Sequence, residues 1–323
     1  MGTKICVLGL HQSGLSIGLA LQPYNEKISC VGYDSDRKQI ERGVKLGAFL
    51  RVESDLAKAL KEAEMVILTL PADKVEETLK SARGCLKEGA QVISISSLHQ
   101  GTAEILQTCL PQGVHFVSVT PILNPQYLDE PAEKADEAHA DLFHHGALLI
   151  GVTEKTSPEI IQSSADLAEL LGAHAYFTEP QEADAFFADV EILPELVSAA
   201  LVNAVSDSAG WKDSRRLAGK SFYRTTATLN PAEDVKVAAD SLLQSKNEIL
   251  HSLDRMSEAL SQFRDAIEQK DADGLNQLLV NARENRKDWL DYRITLDWNT
   301  ADGKPADTKR NVPGHLFWTQ KKK

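Results

Sequence analysis

The 323-residue sequence predicts an α/β chain: a doubly wound parallel sheet over residues 1–178, an all-helical domain over 181–298, and a polar tail over 299–323. Three observations carry that reading. Short, continuous apolar runs alternate with helical patterns through the first half, as strands buried on both faces require. A glycine-bearing turn joins the first apolar run to the first helix. Beyond about residue 181 short apolar runs do not return until past 290, and apolar residues recur instead at helical steps.

The first run, residues 5–8, ends at Gly9, and a second run ends at Asp34. Between them Gly9 and Gly14 take the first and third positions of G-x-G-x-x-G, while His11 takes the second and Gln12 and Ser13 fill the rest of the turn. Such a turn sets backbone N–H groups and a helix N-terminus against a pyrophosphate. Asp34 follows Gly14 by about 20 residues, the spacing at which a carboxylate reaches the adenosine ribose. This is the strand–turn–helix–strand unit of a Rossmann-type domain. A carboxylate there repels a 2′-phosphate, so NAD is the expected cofactor. Arg37, which offsets part of that repulsion, leaves NADP as the alternative. His11 either crowds the pyrophosphate or donates a ring N–H to it.

The remaining elements follow in order. Residues 37–46 read as a helix ended by Gly47, and 64–70 (EMVILTL) as a strand stopped by Pro71. A helix over 74–86, a strand over 91–96 and further strands at 115–119, 147–152 and 175–178 complete the sheet. Ligands of such sheets lie beyond the strand C-termini, where strand order reverses. Those ends carry Gly9, Asp34, Pro71, residues 96–99 and residues 120–125, the candidate site loops.

In the second half, residues 183–208 are rich in Ala, Leu and Val at helical spacing. A long helix beginning near Ala232 carries Leu242, Ile249, Leu253, Met256, Leu260, Phe263 and Ile267 on one stripe. Residues 271–274 break it, and 275–289 resume. A stripe of that length exceeds what one small domain covers, so a homodimer through the helical domain is expected.

Composition narrows the partners. The net charge of −12 comes without a basic stripe outside the last residues, which argues against nucleic acid and anionic membranes. No apolar run approaches the roughly 20 residues that span a bilayer. The chain enters its first strand almost at once, so no signal peptide is expected. Four scattered cysteines without C-x-x-C spacing read as buried thiols of a reducing compartment, with no metal role. A cytoplasmic protein acting on a small molecule is the expectation.

The segment AGWKDSRRLA (209–218), placed in a helical domain behind a dinucleotide fold, resembles the prephenate/arogenate dehydrogenase family. Gly210, Trp211, Asp213, Arg216, Leu217 and Ala218 fit that family's second-domain motif, and AEMVILTLP with GAQVISISS fits its third and fourth strands. The resemblance covers roughly residues 4–290. It implies hydride transfer from a cyclohexadienol to a nicotinamide, with loss of carboxylate to leave an aromatic ring. It also implies that Arg216 binds a substrate carboxylate, that Ser97 closes the fourth strand near the nicotinamide, and that His99 stands where the family carries lysine.

The departures are equally specific. Thr120-Pro121 replaces the family's His-Pro, and Thr120 is no base near neutral pH. The His-Asp and Ser-His-Leu-Pro-His motifs appear as Ala183-Asp184 and Glu191-Ile192-Leu193-Pro194-Glu195. Glu191 and Glu195, at i and i+4, are expected to share a face on the substrate wall. That wall suits a cationic or hydroxyl-bearing ligand. The reading is therefore an NAD(P)-dependent dehydrogenase with catalytic candidates Ser97, His99, Thr120 and Arg216, on prephenate, arogenate or an altered hydroxy acid. The alternative is a non-catalytic dinucleotide-binding dimer, a sensor or pseudoenzyme.

Overall fold

A computed structural model describes residues 2–96, 99–130, 137–229, 239, 242–243 and 245–295. The chain divides into two units, one of residues 1–180 with 285 onward, the other of residues 181–284.

The first unit is built on an eight-stranded sheet. Its strands are β1 (Thr3–Leu8), β2 (Ile28–Tyr33), β3 (Arg51–Glu53), β4 (Met65–Leu68), β5 (Gln91–Ile95), β6 (His115–Ile122), β7 (Ala147–Gly151) and β8 (His174–Thr178), in the order β3-β2-β1-β4-β5-β6-β7-β8. Strand order reverses between β1 and β4. Both faces are covered: Ile5 and Val7 of β1 enter one apolar cluster, and Cys6 and Leu8 enter the other. Each such side chain contributes about 1.5–3 kcal/mol on burial, so the continuous apolar run is explained by two cores rather than one.

The helices are α1 (Gln12–Leu21), α2 (Arg37–Leu46), α3 (Leu56–Leu60), α4 (Ala72–Ala82), α5 (His99–Cys109) and α6 (Pro158–Leu170). Asp36 caps α2 by accepting from the Lys38 N–H at 2.9 Å, and Gly47 ends it at φ +63°. Three features depart from the sequence expectation. β3 and α3 appear in a stretch that carries no apolar run of strand length, since β3 has only three residues and an exposed Arg51. β7 runs antiparallel to β6, and its pairs Thr120↔Leu149, Pro121↔Leu148 and Ile122↔Ala147 extend β6 three residues past Val119. Thr120 thus lies within a strand, not in a loop beyond one.

The second unit begins with α7 (Pro180–Phe187), a π-helical turn (Ala188–Ile192) and α8 (Leu193–Ser206). Then come α9 (Trp211–Ser214), α10 (Lys220–Thr225), α11 (Lys246–Glu268) and α12 (Ala272–Thr295). The π turn is tied to α11: Asp189 accepts from Ser252 Oγ at 2.5 Å and pairs with Arg255. Along α11 the apolar stripe is covered at its start, where Ile249 is buried, half-buried at Leu253, Met256 and Phe263, and exposed at Leu260 (57 %) and Ile267 (63 %). Residues 230–238, the start of the long helix expected from Ala232, lie outside the described residues, as does the tail 299–323.

The sequence places the end of the helical domain at 298. From Asn285 the chain groups with the first unit. The reason is Arg293, which is 6 % exposed and whose guanidinium donates to the carbonyls of Leu123 and His145.

Candidate dinucleotide and substrate site

The turn after β1 is shaped by close backbone approach. Gly9 sits at φ +100°, and a Cβ there would lie 2.8 Å from the Thr69 carbonyl oxygen. A Cβ on Gly14 would stand 1.9 Å from the Gly9 carbonyl oxygen. Both positions therefore exclude side chains. Thr69, just past β4, locks the turn by donating its hydroxyl to the Gly9 carbonyl at 2.6 Å. Sequence reading passed over Thr69, because a lone threonine behind a strand has no signature.

α1 then begins without a side-chain cap at His11 and without an acidic residue in its first turn. Its first N–H groups are left for an external acceptor, and the positive end of the helix favours an anion. Gln12 and Ser13 are half-buried in that first turn. The His11 ring is exposed and meets Gln39 of α2, with Nδ1 3.4 Å from Nε2. Pro71 is exposed at the cap of α4.

Asp34 is 6 % exposed just past β2. Its oxygens accept the N–H groups of Leu10 at 2.7 Å and Asp36 at 2.8 Å. Each oxygen keeps a second lone pair for a ribose hydroxyl. The carboxylate is thus held in place by the glycine turn before any ligand arrives. The donors and acceptors present fit a dinucleotide: N–H groups for the pyrophosphate, a carboxylate for the ribose.

Of the catalytic candidates, the structure joins two directly. His99, at the start of α5, is wholly buried, with Nδ1 2.8 Å from Ser118 Oγ and Nε2 2.8 Å from Thr120 Oγ1. The Thr120 hydroxyl also reaches the Ser96 carbonyl. Burial disfavours the imidazolium and pulls the His99 pKa down to about 4, so the ring is neutral at physiological pH. Ser118 carries no sequence signature. It meets His99 only through sheet pairing, which no local motif encodes. Ser97 lies outside the described residues.

The other candidates lie in the second unit. Arg216 follows α9, is exposed, and makes no ion pair among the described residues. Glu191 is in the π turn and Glu195 in the first turn of α8. They stand on either side of the point where the π turn passes into α8. Glu191 lies at the surface, yet protein crowding its carboxylate raises its pKa above the usual range. Glu195 is half-buried.

Elsewhere in the first unit, Tyr127 stacks on His139 and donates to Asp141 at 2.6 Å. Asn124 accepts from the Gln126 N–H at 3.1 Å. These contacts hold the segment after β6 together. Glu130, Glu137 and His139 bring ligand atoms within 4.8 Å of one another, with His139 Nε2 3.1 Å from Glu130 Oε1.

A strand order that reverses beside a glycine turn, followed by a helical second unit, defines a dinucleotide-binding protein of the Rossmann-plus-helices class. Residues 17–177 match the model for the prephenate dehydrogenase nucleotide-binding domain, and residues 179–281 match the model for the prephenate dehydrogenase dimerization domain. The chain belongs to the prephenate dehydrogenase family. The first match starts after the glycine turn, so the cofactor argument there rests on the turn's own geometry. The prephenate dehydrogenase of Bacillus subtilis is 26 % identical across 98 % of this chain and 82 % of that protein. The cyclohexadienyl dehydrogenase of Zymomonas mobilis is 24 % identical across 91 % and 97 %. Among solved structures, prephenate dehydrogenase from Aquifex aeolicus, in complex with hydroxyphenyl propionate and NAD+, superposes with a TM-score of 0.77 at 21 % identity. It covers 89 % of this chain and 98 % of that one. The family's dehydrogenases act on prephenate, arogenate or cyclohexadienyl substrates.

Proposed function

We propose that this protein is an NAD-dependent dehydrogenase of a cyclohexadienol acid, prephenate or arogenate, working as a cytoplasmic homodimer. The observation that carries the reading is the Gly9–Gly14 turn. Its backbone is held by Thr69 and Asp34 at the mouth of an uncapped helix, in a chain matched along most of its length by the family's two domain models.

The roles follow from chemistry. The N–H groups of α1 and the Asp34 carboxylate hold the dinucleotide, which when bound supplies the hydride acceptor. The expected 2′-phosphate repulsion at Asp34 favours NAD over NADP. Arg216, an exposed guanidinium, suits bidentate capture of a substrate carboxylate. Ser97, His99 and Thr120 handle the hydroxyl end, and Glu191 and Glu195 suit the ammonium group of arogenate. Residues 1–178 form the nucleotide-binding part, and the exposed end of the α11 stripe, at Leu260 and Ile267, is the surface a second copy covers. Among the described residues no helix is long and apolar enough to cross a membrane.

The test is absorbance at the reduced-nicotinamide band with NAD and either prephenate or arogenate. Turnover of one supports the reading; tight NAD binding without turnover of either favours the non-catalytic dimer. That second reading draws on one observation. Thr120 stands in place of a histidine and has no ionisable group of its own to offer.

A further inference from the structure

The wholly buried His99 and its two hydroxyl partners form a linear chain that the family's catalytic arrangement, as read from the sequence, does not contain. Thr120 Oγ1, His99 Nε2, His99 Nδ1 and Ser118 Oγ follow one another through two 2.8 Å contacts. Thr120 keeps 8 % exposure near the C-terminal end of β6, whereas His99 has none. At the other end, Ser118 lines a cavity of about 210 Å³, together with Gln107, His115, Gly151, Lys155 and Thr156. The chain is tightly fitted. A Cβ on Gly151 would come within 2.7 Å of Ser118 Oγ and 2.8 Å of His99 Nδ1.

We propose that Thr120 and His99 act in series as the hydroxyl-polarising group of this enzyme: Thr120 touches the substrate hydroxyl, and His99 acts through Thr120. The proposal rests on the dehydrogenase reading above. In the tautomer with the ring proton on Nδ1, donated toward Ser118, the Nε2 lone pair faces Thr120 Oγ1. At rest the Thr120 hydroxyl is shared with the Ser96 carbonyl.

During reaction the carbinol O–H bond breaks and a Thr120 O–H bond forms, while the former Thr120 proton moves to Nε2. NAD, when bound, would supply the acceptor for the carbinol C–H electron pair and its hydrogen. The departing carboxylate leaves its C–C electron pair in the ring as carbon dioxide is released. The oxygen then recovers its proton along the same path as a phenol, so no net proton is lost. A weak base suffices, because loss of hydride turns the carbinol into a protonated carbonyl, which is strongly acidic. Burial serves the role by keeping Nε2 unprotonated and ready.

Two readouts test this, one of which needs no turnover. Nitrogen-15 spectra of histidine-labelled protein are expected to show His99 with Nδ1 protonated and Nε2 as a hydrogen-bonded acceptor, whose resonance moves in Thr120→Val. In steady-state assays Thr120→Val, nearly isosteric, should lower kcat by about 10²-fold. KM and the NAD Kd should stay within about 2-fold, and Thr120→Ser should restore most of the rate. A protonated Nε2, or an unchanged kcat in Thr120→Val, overturns the proposal while leaving the dehydrogenase reading intact. Absence of turnover in the unaltered protein defeats that reading instead, and the spectra still decide the hydrogen-bonded pair.

Discussion

The two groups of candidate residues are built in opposite ways. In the first unit the turn is held by the chain itself: Asp34 is buried on the Leu10 and Asp36 N–H groups, Thr69 clamps Gly9, and Gly14 touches Gly9 with no room for a methyl. In the second unit Arg216 is exposed, its neighbour Leu217 is 85 % exposed, and Glu191 lies at the surface of a π turn. The first group is organised before any ligand arrives. The second offers chemistry on exposed side chains and depends on what covers it. Damage to the first should therefore appear as lost stability and lost cofactor binding together. Damage to the second should appear in substrate kinetics alone.

The sharpest way to break the contrast is Gly14→Ala. The added carbon meets the Gly9 carbonyl at 1.9 Å, a backbone atom that cannot step aside. A cost of about 3–5 kcal/mol is expected, in the range of severe packing and strain lesions, with NAD binding lost in calorimetry. A native-like melt with unchanged NAD affinity would remove the claim that the turn is pre-built.

Acid should weaken the first unit next. His99 has its folded pKa lowered by burial to about 4, against 6.5 for the free side chain. The unfolded chain then binds more protons between those values, so stability rises with pH across the window and falls as pH drops through it. The contribution at stake is about 3 kcal/mol. Denaturant titrations from pH 7 to pH 4 should show it. A flat profile would mean the ring is reached by solvent.

The smallest structural effect belongs to the second unit. Arg216→Ala should leave the melting temperature unchanged, because the side chain is exposed and makes no ion pair among the described residues. It should lower kcat/KM by roughly 10–100-fold, the worth of a charge-assisted hydrogen bond to a carboxylate. Loss of stability in this variant would show that Arg216 serves the fold rather than the substrate.

The same contrast explains what the sequence disclosed. The glycine turn, Asp34 and the strand ends are local patterns, and a run such as 64–70 reads as a strand because both its faces are buried. β7 escaped as antiparallel because an apolar run looks alike in either direction. β3 was too short and too polar to register. The wide turn at Ala188–Ile192 has no residue signature. Thr69, Ser118 and Arg293 act through contacts 60, 19 and 170 residues away in sequence, a distance no motif spans. His99 was visible as a residue but not as a buried one, and its partner Thr120 looked inert until β6 placed the two side by side.

The central claim is that the turn after β1 holds NAD, and paired calorimetric titration of the unaltered protein with NAD and NADP tests it most directly. The account predicts NAD binding at one site per chain, with NADP at least about tenfold weaker because a carboxylate at Asp34 repels a 2′-phosphate. Binding of neither, or of NADP alone, would contradict it.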